Sequence, residues 1–296
     1  MKNILIIGAN GFTGRRILND LSVNPIYHVT GCSLRDDICP GKDYRFVRTD
    51  IRDENEVRKL FKECRPDIVI NTSALSVPDY CETHHAEAEA TNVTAVETIA
   101  HVCEQYGSRF IHLSTDFVFD GKSTRLYKEE DEAIPVNYYG VTKLKAEKII
   151  ASICSNYAIV RVVVVYGKAL PGQHGNILQL VANRLRNGET IRVVSDQWRT
   201  PTFVGDISVG VEKLMFHTAN GIYHICGSEC LTSAEIAYRV ADFLKLDRSL
   251  IEPVTTEEMK EVTPRPRFSG LSIEKAKAEI GYTPRTLEEG MEASLF

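Results

Sequence analysis

Long apolar runs are missing from this 296-residue chain. Val162 to Val165 is far too short to cross a bilayer. Ile4 to Ile7 is too short for a signal-peptide core and runs straight into Gly8 and Asn10 rather than into a cleavage-like segment. The expectation is a cytoplasmic protein with no membrane partner. An excess of basic charge is missing too: charged residues make up 25% and the formal net charge is -5. That balance offers no positive field for gripping a phosphate backbone, so nucleic acid is not expected as a partner, although a local basic pocket is compatible with it. Paired cysteine motifs are also absent. The eight cysteines (Cys32, Cys39, Cys64, Cys81, Cys103, Cys154, Cys226, Cys230) are scattered, with no Cys-x-x-Cys and no matching histidine pair. Cys226 and Cys230 are the one pair that a metal could use; free thiols in a reducing compartment are the simpler reading, and no metal site is expected.

What the chain does have is alternation. Short β-branched runs (Asn3 to Ile7, Tyr27 to Cys32, Arg45 to Val47, Ile68 to Asn71, Phe110 to Ser114, Ala158 to Val165) are separated by amphipathic stretches. Ile17, Leu18 and Leu21, or Val57, Leu60 and Phe61, each form one buried stripe of a helix. This is the α/β pattern of a Rossmann-type, doubly wound parallel sheet covered on both faces. Past Tyr166-Gly167 the character changes. Ile177 to Leu185 reads as a helix, Ile191 to Val194 and Ile222 to Ile225 as strands, and Thr232 to Leu244 as a helix capped by Thr232 or Ser233 with Glu235 placed for a capping box. The expected division is a dinucleotide-binding domain over 1–166, with 202–226 returning to it, and a smaller substrate-binding lobe from 167–201 and 227–296.

Gly8-Ala9-Asn10-Gly11-Phe12-Thr13-Gly14 follows the first strand and opens a helix. In that context one glycine permits the tight turn, the next lets backbone approach a pyrophosphate, and the third lets helix pack on strand. Gly8, Asn10, Gly11, Phe12 and Gly14 are therefore cofactor-binding candidates. At the end of the second strand an acid usually holds the adenosine ribose of NAD, whereas a cation accommodates the extra phosphate of NADP. Here Ser33 and Arg35 stand there, which points to NADP(H) over NAD(H); the alternative is that Asp36 or Asp37 takes the ribose. Asp50 and Ile51 follow the third strand, where a carboxylate can accept from the adenine amino group. Asn71, Ser73 and Ala74 end the fourth strand, where small residues let backbone pass close to the cofactor. Either segment is also compatible with ordinary turn chemistry, but both lie at strand carboxyl ends, where doubly wound sheets bind ligands.

Tyr139 and Lys143 lie one helical turn apart, downstream of Ser114-Thr115-Asp116 at the end of the fifth strand. A free tyrosine, with a pKa of about 10, is a slow proton donor at neutral pH unless its anion is stabilised. An ammonium one turn away does this and can also hold the nicotinamide ribose, while the Thr115 hydroxyl can position the oxygen of a carbonyl that receives hydride. Taken singly, each is an ordinary helical pair or strand cap. Their order behind a cofactor loop makes Thr115, Tyr139 and Lys143 the catalytic candidates.

These features resemble the extended short-chain dehydrogenase/reductase family over nearly the whole chain. Within it the chain is most similar to the dTDP-4-dehydrorhamnose reductases, on Ser114 to Gly121, Tyr139 to Leu144, Gly175-Asn176-Ile177, Asp196-Gln197 leading to Thr200-Pro201-Thr202, and Arg265-Pro266 with Ser269 and Leu271. The resemblance implies an NADPH-dependent reduction at C4 of a nucleotide-linked 4-keto deoxysugar, as in dTDP-L-rhamnose synthesis. Tyr139 would protonate O4, and Asp116 would contact the sugar or the trio. Val77, Asp79 and Glu82 match the segment that touches the hexose, and Asn176 and Arg265 match positions near the nucleotide diphosphate. Asp79 can equally be a helix N-cap, and Arg265 a surface ion pair. The chain departs from the pattern at Val164, where the family often has tryptophan, and at Phe12-Thr13, where the reductases commonly have Gln-Leu. Related dehydratases need an acid after the Thr-Asp pair, and Phe117 stands there. Epimerases recycle a held NAD, against which the NADP expectation counts. A non-catalytic, NADP-binding regulatory subunit, as in the similar methionine adenosyltransferase beta subunit, is the reading from a different class. A homodimer is compatible with the chain.

Overall fold

The computed structural model describes residues 1–41, 43–173 and 175–295. Seven parallel strands form its central sheet: β1 (Lys2–Ile7), β2 (Tyr27–Ser33), β3 (Arg45–Arg48), β4 (Ile68–Asn71), β5 (Arg109–Thr115), β6 (Tyr157–Val162) and β7 (Gly221–His224). Their spatial order is β3-β2-β1-β4-β5-β6-β7. Every pairing is parallel, and the order reverses direction beside β1, which opens a crevice at the strands' carboxyl ends. The apolar run of β1 divides by alternation. Ile4 and Ile6 pack with Ile17, Leu18 and Leu21 of helix α1 (Phe12–Ser22), whereas Leu5 and Ile7 pack with Val57, Leu60 and Phe61 of helix α2 (Glu54–Cys64). A strand buried on both faces has no polar side to show, hence its unbroken hydrophobic sequence.

Two more helices complete the second face, α3 (Ala95–Tyr106) and α4 (Tyr138–Ile153), and α5 (Val204–Phe216) packs beside α1 on the first. A separate apolar cluster joins the helices Ile177–Arg186 and Ser233–Leu244 to the parallel strand pair Ile191–Val194 and Ile251–Val254. Thr232 and Glu235 form a reciprocal capping box at the start of the second of these helices.

Ala158 to Val165, read above as one strand, is not one. β6 ends at Val162, and Val164 takes a left-handed φ of +37°, a conformation that a β-branched side chain strongly disfavours. The turn carries Val165–Tyr166 out of the main sheet to pair with Thr202–Phe203. Thr202 secures it by donating from its hydroxyl to the Val163 carbonyl at 2.6 Å and from its N–H to the Val164 carbonyl at 3.1 Å.

Candidate active site

The glycine loop lies at the carboxyl end of β1. Gly8 has φ +83°, and a Cβ there would sit 2.7 Å from the Ser73 nitrogen. A Cβ on Gly14 would meet the Gly8 carbonyl oxygen at 2.3 Å, so helix and strand approach more closely than any side chain permits. α1 begins without a side-chain cap. Its first N–H groups are thus left without a side-chain acceptor, the condition under which a helix start can receive an anion.

Around the end of β2 the polar groups are already allocated. The Asn10 N–H donates to the Ser33 hydroxyl at 3.1 Å, and the Asn10 side-chain amide donates to the carbonyls of Arg35 and Asp36. Buried Arg15 donates to Asn10 Oδ1, to the Tyr44 hydroxyl and to the Asp37 carboxylate. Burial opposes ionisation of Asp37, but the Cys39 N–H, the Tyr44 hydroxyl and Arg15 together hold its carboxyl below the usual range. Arg35 is exposed. Asp50 is held low chiefly by hydrogen bonds from the Arg52 guanidinium, which grips it in a bidentate pair, and Ile51 packs half-buried against the core.

At the end of β4, Asn71 is completely buried. Its Oδ1 accepts from the Ser73 N–H and hydroxyl, and its Nδ2 lies 3.1 Å from His112 Nδ1, so its side chain faces the sheet interior rather than the crevice. Ala74 is half-buried beside them.

Thr115, Tyr139 and Lys143 converge between the end of β5 and the first turns of α4. Asn137 fixes that helix end by accepting from the Gly140 N–H at 2.9 Å, while Glu82 accepts from the Tyr138 N–H at 2.9 Å. A Cβ on Gly140 would lie 2.1 Å from the Phe117 carbonyl oxygen, which presses the helix onto the turn after β5. The Tyr139 ring is buried edge-on against Phe117. Burial, then the charge of Asp116, pushes its phenol well above the usual tyrosine value, and a hydrogen bond with the Thr115 hydroxyl offsets part of this. The ammonium expected to lower that value does not act on the phenol in this geometry. Lys143 Nζ instead donates to the Leu113 carbonyl at 2.6 Å and lies 2.9 Å from His112 Nε2. Burial lowers the Lys143 value to about 8 against an opposing pull from Glu147.

The substrate candidates divide. Asp116 is buried next to the trio; Thr115 donates to its Oδ1 at 3.1 Å, Ser269 donates to its Oδ2, and Arg199 stands 3.8 Å away. Burial raises its carboxyl above the usual range against the pull of Arg199. Asp79 and Arg265 face one another at 3.7 Å, Arg265 Nε is ion-paired with Glu261 at 3.2 Å, and Asp79 Oδ1 is buried without a hydrogen-bond partner among the described residues. Val77 is exposed at the entry to the short helix Pro78–Thr83. Two candidates are occupied elsewhere: Glu82 caps α4, and Asn176 caps the helix Ile177–Arg186 while donating to the Gly167 carbonyl at 2.7 Å. Asp79 is not the N-cap of its helix, a position that Val77 holds.

Four residues here escaped the sequence reading. His112 touches Lys143; Arg199 donates to the carbonyls of Pro266 and Arg267 and faces Asp116; Asn137 caps α4 and donates to the Pro264 carbonyl. Buried Asn92, on a π-helical turn over Ala90–Thr94, bonds both polar backbone groups of Leu75 and the Thr142 hydroxyl. A polar residue interrupting an apolar helical stripe is the one signal that would have found Asn92.

A seven-stranded parallel sheet of this order, with its glycine loop and its buried strand-end polar cluster, defines a Rossmann-type NAD(P)-dependent oxidoreductase. The family model described as the RmlD substrate binding domain matches residues 1–295, and the chain belongs to that family, within the extended short-chain dehydrogenase/reductases. It is similar to the probable low-salt glycan biosynthesis reductase of Haloferax volcanii, 30% identical over 97% of this chain and 95% of that one. It is 31% identical to methionine adenosyltransferase 2 subunit beta of Xenopus laevis over 96% of this chain and 84% of that one. The crystal structure of dTDP-4-dehydrorhamnose reductase from Bacillus anthracis in complex with NADP superposes with a TM-score of 0.87 at 27% identity, over 100% of this chain and 99% of that one. Among the described residues no cluster of metal-ligating side chains occurs, and no helix is long and apolar enough to cross a membrane.

Proposed function

We propose that the protein uses NADPH to reduce the C4 keto group of a nucleotide-linked deoxysugar, with dTDP-4-dehydrorhamnose as substrate and dTDP-L-rhamnose as product. The observation that carries this reading is the buried Tyr139 phenol, hydrogen-bonded with Thr115 one helical turn from Lys143. Bound NADPH supplies the hydride that adds to the carbonyl carbon. Tyr139 gives its phenolic proton to O4 as charge develops there, which completes the alcohol. Thr115 exchanges its Asp116 acceptor for O4 and holds that oxygen in line. A buried phenolate is costly, so Lys143 serves by turning toward Tyr139 as a cation when the proton leaves. Asp79, whose Oδ1 is buried without a hydrogen-bond partner among the described residues, and Arg265, which faces it at 3.7 Å, are proposed to contact the sugar nucleotide.

NADP is the proposed dinucleotide over NAD. Asp37, an acid that could bind a ribose diol, is engaged by the Arg15 cation and the Tyr44 hydroxyl, while exposed Arg35 lies two positions beyond Ser33 for the 2'-phosphate. We read the eight free thiols as those of a cytoplasmic protein. The likeness to the methionine adenosyltransferase subunit favours a second reading, an NADP-binding regulatory chain. Following oxidation of NADPH with a panel of nucleotide 4-keto sugars separates the two. The enzyme reading expects turnover that Tyr139→Phe lowers about a hundred- to ten-thousandfold with NADPH affinity kept. Absence of turnover on every sugar, with co-purification of a synthetase, would replace it by the regulatory one.

A further inference from the structure

The surroundings of Lys143 constrain its charge. His112 and Asn71 are fully buried, and Lys143 is 2% exposed, so each polar atom must find its partner within the protein. The chain of contacts begins at a donor whose role is fixed: the Ser73 backbone N–H, 3.0 Å from Asn71 Oδ1. Because that atom faces a donor, it is the amide oxygen, and the Asn71 NH2 is the group 3.1 Å from His112 Nδ1. A neutral imidazole has one donor and one acceptor nitrogen. With Nδ1 facing an NH2 it is the acceptor, which leaves the ring proton on Nε2, directed at Lys143 Nζ 2.9 Å away.

An ammonium has three donors and no lone pair, so it would meet that N–H donor against donor. A neutral amine resolves the conflict: its lone pair accepts from Nε2, one hydrogen goes to the Leu113 carbonyl at 2.6 Å, and one remains for a further partner. We infer that Ser73, Asn71 and His112 form a fixed donor chain that holds Lys143 as a neutral amine, with His112 as the positioning residue that decides when Tyr139 receives its cation. On swinging off Nε2 toward another acceptor, the Lys143 amine regains its basicity and takes a proton from solvent. The inference rests on the reading of Lys143 as the partner of Tyr139.

The other ionisable groups near Lys143 do not reverse the balance. Glu147 on the same helix favours the ammonium, but it is gripped by Arg161 of β6. Asp116, in the turn after β5, is matched by Arg199, and Tyr139 itself is neutral. Burial brings Lys143 down to about 8 even against the pull of Glu147, and the facing donor acts in the same direction as burial. The ring of His112 is kept far below the usual histidine value chiefly by burial, so it stays neutral.

Two magnetic resonance measurements on the full chain without added nicotinamide test this, and neither requires turnover. In protein labelled with 15N-histidine, the ring shifts are expected to show the His112 proton on Nε2; a proton on Nδ1 overturns the inference. In protein labelled with 13C-lysine, the Lys143 titration midpoint is expected to rise by about one pH unit, a tenfold change in proton affinity, in His112→Leu. A histidine that accepted from an ammonium would give the opposite sign, so a fall or no change overturns the inference. Should that variant not fold, His112→Gln, which can turn a carbonyl oxygen to Nζ, is expected to raise the midpoint likewise. If the tautomer is found and no 4-keto sugar is reduced, the proposed activity fails while this assignment stands; the converse result separates them the other way.

Discussion

Replacing Glu147 by glutamine should destabilise the protein far more than an exposed ion pair would. Glu147 and Arg161 are 3% and 2% exposed, and two hydrogen bonds of 3.0 and 2.7 Å join them. The third guanidinium nitrogen, NH1, is buried with no hydrogen-bond partner among the described residues, and the cation lies 5.0 Å over the Phe119 ring. Among the described residues Glu147 is the acid that forms an ion pair with Arg161. An uncompensated buried charge costs about 3–5 kcal/mol. Unfolding entropy of about 2 cal/mol/K per residue gives a chain of this length roughly 0.6 kcal/mol/K, so Glu147→Gln should lower the midpoint of thermal unfolding by about 5–8 °C in calorimetry. The double variant Glu147→Leu with Arg161→Met removes both charges at similar volume and should fall within about 1 kcal/mol of the parent. A single variant that loses under about 1 kcal/mol, or a double variant as damaged as the single, refutes the reasoning.

Arg35→Ala should weaken NADPH binding about tenfold or more and leave NADH binding unchanged, since a charge-assisted contact contributes about 1.5–3 kcal/mol; equal losses for both in a fluorescence titration would discard the assignment. Gly140→Ala drives a Cβ to within 2.1 Å of the Phe117 carbonyl oxygen, so α4 must shift. A displacement of about 1 Å should reduce turnover on the order of a hundredfold with the circular dichroism spectrum retained. His224 is buried and held neutral, its value lowered to about 3 by burial and then by Arg161. Because its folded value lies below the unfolded one near 6.5, its contribution is fully present above that pH and is lost as pH falls toward 3. Urea unfolding at stepped pH should therefore show stability dropping across this window, less steeply in His224→Gln; parallel curves would exclude His224 as a source.

Where a pattern is local, the sequence carried it. The apolar run from Asn3 to Ile7 marks a strand buried on both faces, and Thr232 with Glu235 marks a helix start, because both signals depend on neighbours within a few residues. Glycine spacing after β1 and the one-turn separation of Tyr139 and Lys143 were legible for the same reason. What the sequence could not show was allocation. Glu82 has the right charge for a sugar hydroxyl, but it reaches across 56 positions to cap α4. The tie between His112 and Lys143 spans 31 positions and that between Asn92 and Thr142 spans 50, so no periodicity reveals them. Val164 looked like one more strand residue, since four identical valines give no hint that one turns left-handed.

Asp116 is stitched to the segments that carry Ser269 and Arg199, directly next to Thr115. An outward movement of those segments would strip both contacts and strand a carboxylate in a dry recess, so wide opening there is disfavoured by a residue that touches Thr115 itself. Any displacement large enough to free Asp116 would reorient the Thr115 hydroxyl with it.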